Sequence, residues 1–297
     1  NNSELAARYL LNNEGEFKKI KINNKNQYLN DPISAFNFVK KDNVLIVNNG
    51  EGDSDENVLI SEIIIEGWEN HPEGRKLELA AYDSMLIKPG NVINNTKLKN
   101  DLNSIYASGW FSGVKIKSQD GPLGVRLIVS VVPNPILTKV KLNPKNTIIP
   151  DKFVDNIFAN YYGTTLNLNQ LQKRINLIKK WYTEKGYSLA RINGPERISE
   201  DGVISLNVEE GIVSDIEFRF IGPDGESSVD GKPRKGKTKD WVIKRELKTI
   251  PGSIFNRKIL ESDIKRLYAT SLFDDVKVSL GPDKKNPGQV IIILDLS

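Results

Sequence analysis

The residues whose type and spacing could support chemistry lie near the end of the chain, in GKPRKGKT at 231–238. The stretch matches the pattern G-x-x-x-x-G-K-[ST], in which backbone N–H groups and a lysine hold phosphates. The apolar run VIIILD ends in Asp295, which resembles the acidic residue that would hold magnesium. One alternative is therefore a nucleotide-binding protein, with Lys237 on the phosphates and with Thr238 and Asp295 on the metal.

The surroundings of this stretch favour a different interpretation. A phosphate-binding loop leaves a buried strand directly and enters a helix, whereas GPDGESSVD intervenes here at 222–230 and Pro233 stands among basic residues. The surrounding pattern also predicts hairpin-connected strands, not the parallel sheet of such enzymes. We therefore expect an exposed insertion, whose cations are Lys232, Arg234, Lys235, Lys237 and Lys239.

The composition narrows the remaining chemistry. The chain of 297 residues has no cysteine, which excludes thiol nucleophiles, disulfides and zinc–thiolate sites. Its one histidine, His71, lies in NHPEG, a loop signal that predicts a surface position. The net charge of +4 is small for a nucleic-acid partner. We predict no catalytic residue, metal or cofactor, no nucleic-acid partner, and no transmembrane helix, since there is no long apolar run.

A repeated pattern of aromatic and apolar residues organises the rest of the chain. A ring, a second ring five residues later and two alternating apolar residues recur with identical offsets in three copies. These are Tyr106, Phe111, Val114 and Ile116; Tyr182, Tyr187, Ala190 and Ile192; and Tyr268, Phe273, Val276 and Val278. A Gly-x-x-apolar-Asn stretch precedes each copy, as GNVIN at 90–94, GTTLN at 163–167 and GSIFN at 252–256.

Each copy predicts a capped helix that leads into a strand. The asparagine of each stretch, Asn94, Asn167 or Asn256, is a candidate N-cap, and apolar residues then follow at helical spacing. The middle copy has three more residues, which predicts almost one extra turn. Gly109 and Gly186 suit helix termination. We expect Phe111, Tyr187 and Phe273 to pack in the core, and Trp110, which has no aromatic counterpart, to have the most scope for an exposed or functional role.

Strands before and after each copy complete the unit. Opening strands are predicted in SEIIIEG, LTKVKLN and SDIEFRF, with a first helix and a closing hairpin in each unit. The predicted fold class is α+β, with three tandem β-α-α-β-β units, each a three-stranded mixed sheet with two helices on one face. The predicted boundaries are 58–134, 135–212 and 213–297. Residues 1–57 are an extension or linker, in which 36–50 could hold a strand and DSDENV at 53–58 lacks the glycine of a calcium loop.

Four stretches extend this pattern to a known family: VVPNPIL at 131–137, LIKKWYTEKGYSLARI at 177–192, VEEGIVSDIEFRF at 208–220 and PGSIFNR at 251–257. They resemble the POTRA domains of the BamA-like outer-membrane barrel-assembly and polypeptide-transport family. The resemblance is closest to its cyanobacterial branch, related to the chloroplast outer-envelope import channel. It covers about residues 58–297.

The resemblance implies a soluble piece of a longer protein whose transmembrane β-barrel follows Ser297. The arm would lie on the periplasmic side of the outer membrane, receive unfolded outer-membrane or translocated polypeptides by β-augmentation, and pass them to its barrel, with accessory periplasmic proteins as further partners. The basic insertion would face the barrel mouth, lipid headgroups or a client. An alternative is a POTRA module of a two-partner secretion or cell-division protein.

The second strand of each unit, at 114–118, 190–194 and 276–280, is the edge at which a client strand would be added. An alternative role for the cations on these edges is to prevent aggregation. The implied client-binding residues are Val114, Lys115, Ile116, Lys117, Ala190, Arg191, Ile192, Val276, Lys277 and Val278.

Overall fold

The structure, a computed structural model, describes residues 8–11, 17–20, 58–93, 95–195 and 198–297. In the predicted extension, β1 (Arg8–Leu11) and β2 (Phe17–Ile20) pair in antiparallel orientation. The sequence did not predict this pair. The possible strand within 36–50 lies outside the described residues, and so does the stretch DSDENV apart from Val58.

The first repeat forms a mixed sheet with two helices. Its elements are β3 (Val58–Glu66), α1 (Gly74–Asp83), β4 (Val92–Ile93), α2 (Asn95–Ala107), β5 (Phe111–Gly121) and β6 (Gly124–Pro133). The strand order is β4-β3-β6-β5, with β3 parallel and β5 antiparallel to β6. The two-residue β4 makes this sheet four-stranded, where three strands were predicted.

The second repeat follows the same element order. It comprises β7 (Lys139–Asn143), α3 (Asp151–Phe158), α4 (Leu168–Glu184), β8 (Arg191–Asn193) and β9 (Val203–Glu209), with sheet order β7-β9-β8. Helix α4 has 17 residues and α2 has 13. The difference is about one helical turn, as the longer spacing in the middle copy predicted.

The third repeat adds a small hairpin to this plan. It contains β10 (Val213–Phe220), β11 (Ser228–Val229), β12 (Lys232–Pro233), α5 (Asp240–Glu246), α6 (Arg257–Ala269), β13 (Val276–Pro282) and β14 (Val290–Leu296). Its main sheet has the order β10-β14-β13, parallel and then antiparallel. The predicted α+β class is confirmed, with three-stranded main sheets in the second and third repeats and a fourth strand, β4, in the first.

The chain divides into two compact units, each with its own interior. The first comprises residues 1–141, 158–173 and 194–205, and the second comprises 142–157, 174–193 and 206–297. In the first unit, inward-facing β6 side chains are buried with Phe111 and Ile105. In the second unit, inward-facing β14 side chains are buried with Phe273 and Leu267. Alternation along the closing strands therefore identified the covered face of each sheet.

Two of the three repeated rings are buried, as predicted. Phe111 is fully buried and Phe273 is 9% exposed. Tyr187 is half-buried and meets Tyr182 edge-on, with ring centroids 6.3 Å apart. Trp110 is also half-buried, with the Lys76 ammonium 4.7 Å from its ring centroid. Among the described helices, none combines the length and hydropathy needed to cross a membrane.

Candidate functional site

The second strand of each repeat lies at an open end of its sheet. Strands β5, β8 and β13 are each the terminal strand in their sheet order. In β5, Val114 and Ile116 are buried, whereas Lys115 and Lys117 are exposed. This alternation follows from the two-residue period of a strand, which directs successive side chains to opposite faces. The backbone at this edge lies between a packed apolar face and an exposed basic face.

The edge of the second repeat is shorter than predicted. Strand β8 spans only Arg191–Asn193, with Arg191 exposed and Ile192 buried. Ala190 was predicted to belong to this edge, but it precedes the strand because its N–H donates to the Tyr187 carbonyl in a turn (3.2 Å). That hydrogen bond holds Ala190 outside the ladder.

The edge of the third repeat is anchored at its beginning by a helix tyrosine. Val276 is buried, Lys277 is exposed and Val278 is half-buried. The Val276 N–H donates to the Tyr268 hydroxyl (3.0 Å), which donates to Asp275 Oδ1 (2.6 Å). This hydroxyl, with smaller contributions from the Lys277 side chain and the Val276 N–H, holds the Asp275 pKa below its usual value. The open edge therefore begins beyond Val276.

The equivalent tyrosine of the first repeat also binds the start of its edge strand. Tyr106 Oη donates to the Ser112 carbonyl in β5 (3.2 Å). In the second repeat the equivalent Tyr182 is buried and donates to Glu210 Oε1 instead (2.7 Å). Burial, together with the Glu210 carboxylate, raises the Tyr182 pKa. In the first and third repeats a helix tyrosine therefore binds the start of the edge strand, by different hydrogen bonds, and in the second repeat it does not.

The sheets also have a second end, which the sequence interpretation did not consider. Strands β7 and β10 terminate their sheets opposite β8 and β13. In the first repeat, β4 pairs with β3 only at Val58 and Leu59. The sheets of the second and third repeats thus each have a terminal strand at both ends.

A cleft of 370 Å³ beside β3 and α1 is lined by apolar side chains and by the Arg75–Glu78 ion pair.

The basic insertion forms a hairpin rather than a phosphate-binding loop. The pairing of β11 with β12 places Asp230 and Gly231 at the turn, both with positive φ. Lys232, Lys235, Lys237 and Lys239 are exposed. Arg234 is half-buried, and its Nη2 lies 2.7 Å from Asp224 Oδ2. The predicted exposed insertion is therefore present, with four of its five cations in solvent.

The nucleotide-binding alternative lacks its structural context. β10 leads into the hairpin and not directly into a helix. A Cβ on Gly236 would lie 2.1 Å from Cε1 of Phe220, so this segment is packed against a ring. Asp295 makes a two-point ion pair with Arg219, at 2.7 and 2.9 Å. Both oxygens of the Asp295 carboxylate, which would bind magnesium in a nucleotide-binding protein, are therefore paired with Arg219.

Within the first compact unit, Asn167 joins the first repeat to the second. Its Oδ1 accepts from the N–H groups of Asn169 (3.0 Å) and Gln170 (3.1 Å), which confirms it as the N-cap of α4. Its Nδ2 donates to the Ser108 carbonyl just beyond α2 (2.9 Å). The Gly109 carbonyl accepts from the first amide of α4 (2.9 Å). One side chain thus caps a helix and binds the end of the preceding helix.

Within the second compact unit, Asn256 makes the same junction. It accepts from the N–H groups of Lys258 (3.0 Å) and Ile259 (3.3 Å), and donates to the Lys185 carbonyl (3.0 Å). Gly186 has φ +96, and a Cβ there would lie 2.5 Å from Asn256 Oδ1. The glycine is needed both for the left-handed backbone and for this close approach. The remaining predicted cap, Asn94, lies outside the described residues.

His71 is not the plain surface residue that its loop signal predicted. It is half-buried in the first compact unit. Its Nδ1 accepts from the Glu73 N–H (3.2 Å), which leaves Nε2–H to donate to the Asn134 carbonyl (3.1 Å). Glu73 Oε2 accepts from the Thr165 N–H (2.7 Å) and hydroxyl (2.5 Å). His71 and Glu73 therefore belong to the junction between the first two repeats.

Burial alone would raise the pKa of Glu73. The hydrogen bonds from the Thr165 side chain and backbone, together with Lys76, outweigh burial and hold this pKa below its usual value. The carboxylate form of Glu73 is therefore the form that stabilises the junction.

Two buried aspartates were missed by the sequence interpretation. Asp101 accepts from the N–H groups of Leu86 (2.8 Å) and Ile87 (2.9 Å), and Asp263 accepts from those of Lys248 (3.1 Å) and Thr249 (2.9 Å). Each ties the segment after the first helix of its repeat to the second helix. The available signal was an aspartate seven residues after the repeated asparagine, Asn94 or Asn256, in the first and third copies.

Family models match two parts of the chain. The model described as "POTRA domain, ShlB-type" matches residues 136–211, and the POTRA model described as "Surface antigen variable number repeat" matches residues 228–296. Among curated proteins, the chain is 28% identical over 226 residues to outer envelope protein 80 of Oryza sativa, covering 75% of this chain and 33% of that protein. It is 22% identical over 260 residues to protein TOC75-3 of Arabidopsis thaliana, covering 72% and 31%. The chain thus spans about a third of these relatives.

Two solved structures are similar over most of the repeats. The N-terminal domain of Omp85 from Thermosynechococcus elongatus is 38% identical with a TM-score of 0.70, covering 80% of this chain and 96% of that one. POTRA1-3 of the periplasmic domain of Omp85 from Anabaena is 37% identical with a TM-score of 0.69, covering 80% and 95%. The resemblance to BamA-like POTRA domains is confirmed. The chain belongs to the POTRA region of the Omp85 family and is related to chloroplast outer envelope proteins.

Proposed function

We propose that this chain is the periplasmic polypeptide-receiving arm of an outer-membrane β-barrel assembly or translocation protein. It binds unfolded client segments by β-augmentation and passes them to the barrel. The observation that carries this proposal is the recurrence of one sheet order, in which the second strand of each repeat is always terminal. A terminal strand offers unpaired N–H and C=O groups to an added strand.

Main-chain pairing explains how one arm would accept many clients. The hydrogen bonds of an added strand involve peptide groups, so they make little demand on sequence. The proposed edge comprises Val114, Lys115, Ile116 and Lys117 in the first repeat and Arg191 and Ile192 in the second. In the third repeat it comprises Lys277 and Val278, beyond the anchored Val276. The hydroxyls of Tyr106 and Tyr268 bind the starts of β5 and β13, so a client strand would pair with the part of each strand that follows.

The exposed cations on these edges have two alternative roles. Lys115 and Lys117 lie on the exposed face of β5, where they would oppose pairing between two copies of this chain. They would also attract acidic client segments. Neutralising both lysines distinguishes these roles, because the first predicts self-association and the second predicts weaker binding of acidic peptides only.

The proposed partners follow from the family. They are unfolded outer-membrane or translocated polypeptides, the β-barrel of the same protein and accessory periplasmic proteins, at the periplasmic face of the outer membrane. The hairpin cations Lys232, Arg234, Lys235, Lys237 and Lys239 would face the barrel. We retain residues 58–134, 135–212 and 213–297 as the proposed repeats and 1–57 as their extension. None of the matching proteins reported above is named as an enzyme.

A two-partner secretion role is the second candidate, and the "ShlB-type" description of the model for residues 136–211 favours it. The Omp85 matches near 38% identity extend over 80% of the chain, whereas that model covers a single repeat. A cell-division POTRA module has no comparable support. We therefore favour the assembly or translocation role.

The test uses two peptides with the same side chains. A ten-residue peptide of alternating apolar and polar residues is compared with a copy in which every amide is N-methylated, so that neither of its edges has an N–H donor. Fluorescence anisotropy should show that the first binds the full chain and the second does not. Equal binding of both peptides would refute β-augmentation, because side chains alone would then account for the affinity.

A further inference from the structure

The positive charge of this chain is concentrated in one segment of the third repeat. Residues 231–248 contain eight Lys or Arg residues and two Asp or Glu residues, an excess of six positive charges. The net charge of the whole chain is +4, so the other residues together have a net charge of −2. The excess therefore belongs to a local surface and is not a general property of the chain.

The hairpin end and α5 contribute to the same surface. Gly236 packs on the ring of Phe220, and the Lys244 ammonium lies 6.0 Å from the centroid of Phe218. Both rings belong to β10 and are two residues apart, so they lie on the same face of the strand. The segment around Gly236 and helix α5 therefore cover neighbouring rings of one strand.

Helix α5 presents an exposed indole within this basic segment. Ile243 and Leu247 are buried, whereas Trp241 is 60% exposed. The Arg245 guanidinium lies 5.8 Å from the Trp241 ring centroid, one helical turn away. The other three tryptophans, Trp68, Trp110 and Trp181, are half-buried. Trp241 is thus the tryptophan that could be buried by a partner without rearrangement of the fold.

The two cation types in this surface have different surroundings. Arg234 is paired with Asp224, and Arg245 with Glu246. Among the described residues, no acidic side chain lies within ion-pairing distance of Lys235, Lys237 or Lys239. The free cations are therefore ammonium groups, which act as hydrated point charges, whereas two-point recognition of a carboxylate favours a guanidinium.

We propose that Trp241, Lys235, Lys237, Lys239 and Arg245, here called the basic face, dock onto an anionic lipid surface. Lysines beside an anionic bilayer each contribute to attraction without a fixed partner. An indole prefers the interfacial layer, where its ring is partly buried and its N–H stays hydrated. The proposal deepens the proposed role of the hairpin, and it does not depend on client binding at the sheet edges.

The test is flotation of the full chain with vesicles of phosphatidylglycerol and phosphatidylcholine, compared with vesicles of phosphatidylcholine alone. We expect binding only to the anionic vesicles, with an affinity that falls as salt is added. Lipids brominated on their acyl chains should quench the tryptophan emission, and the quenching should be lost in Trp241→Phe. Quenching in the unmodified chain tests the docking geometry without relying on the fold of a variant.

Matched double variants locate the charge. Lys235→Gln with Lys237→Gln should weaken vesicle binding roughly 30-fold, since each lysine near such a surface contributes roughly fivefold. Lys139→Gln with Lys141→Gln removes the same charge at the same spacing from the exposed side chains of β7, outside the proposed client-binding edges, and should leave vesicle binding unchanged.

Three results would overturn the proposal: equal loss in both double variants, equal binding to neutral vesicles, or absence of vesicle binding while a polyglutamate peptide binds the basic face. The last result would assign the face to an acidic polypeptide. If the peptide and its N-methylated copy bound equally well while vesicle binding remained, only the proposal of client binding by β-augmentation would be refuted.

Discussion

Replacing Gly186 with alanine tests whether the junction within the second compact unit depends on contact with Asn256. Gly186 has φ +96, and the new Cβ would lie 2.5 Å from Asn256 Oδ1 and 3.1 Å from Cγ of Lys258. Gly252, in the same unit, has φ +83 and nothing within 4 Å of an added Cβ. The two substitutions therefore impose similar backbone strain, about 1–2 kcal/mol each, but only Gly186→Ala displaces the asparagine.

The expected difference follows from the bonds that Asn256 makes. Losing its cap of α6 costs about 0.5–2 kcal/mol, and losing its hydrogen bond to the Lys185 carbonyl costs about 0.5–1.5 kcal/mol. Gly186→Ala should therefore lower the free energy of unfolding by about 1–3 kcal/mol more than Gly252→Ala. Urea unfolding measures the difference, and hydrogen exchange at the Lys258 and Ile259 amides reports on the cap. Equal destabilisation with unchanged protection of both amides would refute the junction geometry.

Three further predictions concern the same contacts. Asn256→Asp keeps the acceptor for α6 but loses the donor to Lys185, so exchange should quicken at the Arg257 amide, which donates to Gly186, and not at the capped amides; faster exchange at all of them would contradict this. Folding lowers the Glu73 pKa, so the Glu73 carboxylate stabilises the fold above the unfolded pKa of about 4.5, and this stabilisation is lost as the pH falls through the folded pKa. Glu73→Gln should therefore flatten the acid dependence of the free energy of unfolding. An unchanged pH profile would count against this role of Glu73. Asp263→Ala should lower the free energy of unfolding by about 3–5 kcal/mol, because it leaves buried amides and the Arg266 guanidinium without their acceptor; a loss below about 1 kcal/mol, typical of a surface position, would show that these groups find other partners.

The local elements of this fold could be predicted from the sequence. Asn167 and Asn256 were identifiable as caps because an N-cap acts on amides two and three residues ahead. The longer α4 followed from the larger spacing between the repeated glycine and ring. These predictions depend only on short-range geometry, which periodicity reports directly.

The long-range contacts could not be predicted in the same way. The second role of each asparagine joins side chain and carbonyl groups that are 59 and 71 residues apart. Asp263 occupies the same place in its helix as Asp101, but its role could not be read from the sequence before the amides that donate to it were known. The two-residue β4 is too short to show a strand period, and Ala190 was assigned to a strand although a turn captures its amide. A hydrogen bond between separate segments decided the outcome in each case except that of Ala190, where a local turn did.

Hydrogen–deuterium exchange of the full chain, with and without an unfolded outer-membrane protein segment, shows where a client binds. We expect slower exchange along the open edges of β5 and β13, at 114–118 and 277–280, with little change on the buried strands β6 and β14. Slower exchange confined to the opposite strands β3 and β10, or to the helices, would contradict the assignment of the client-binding edge.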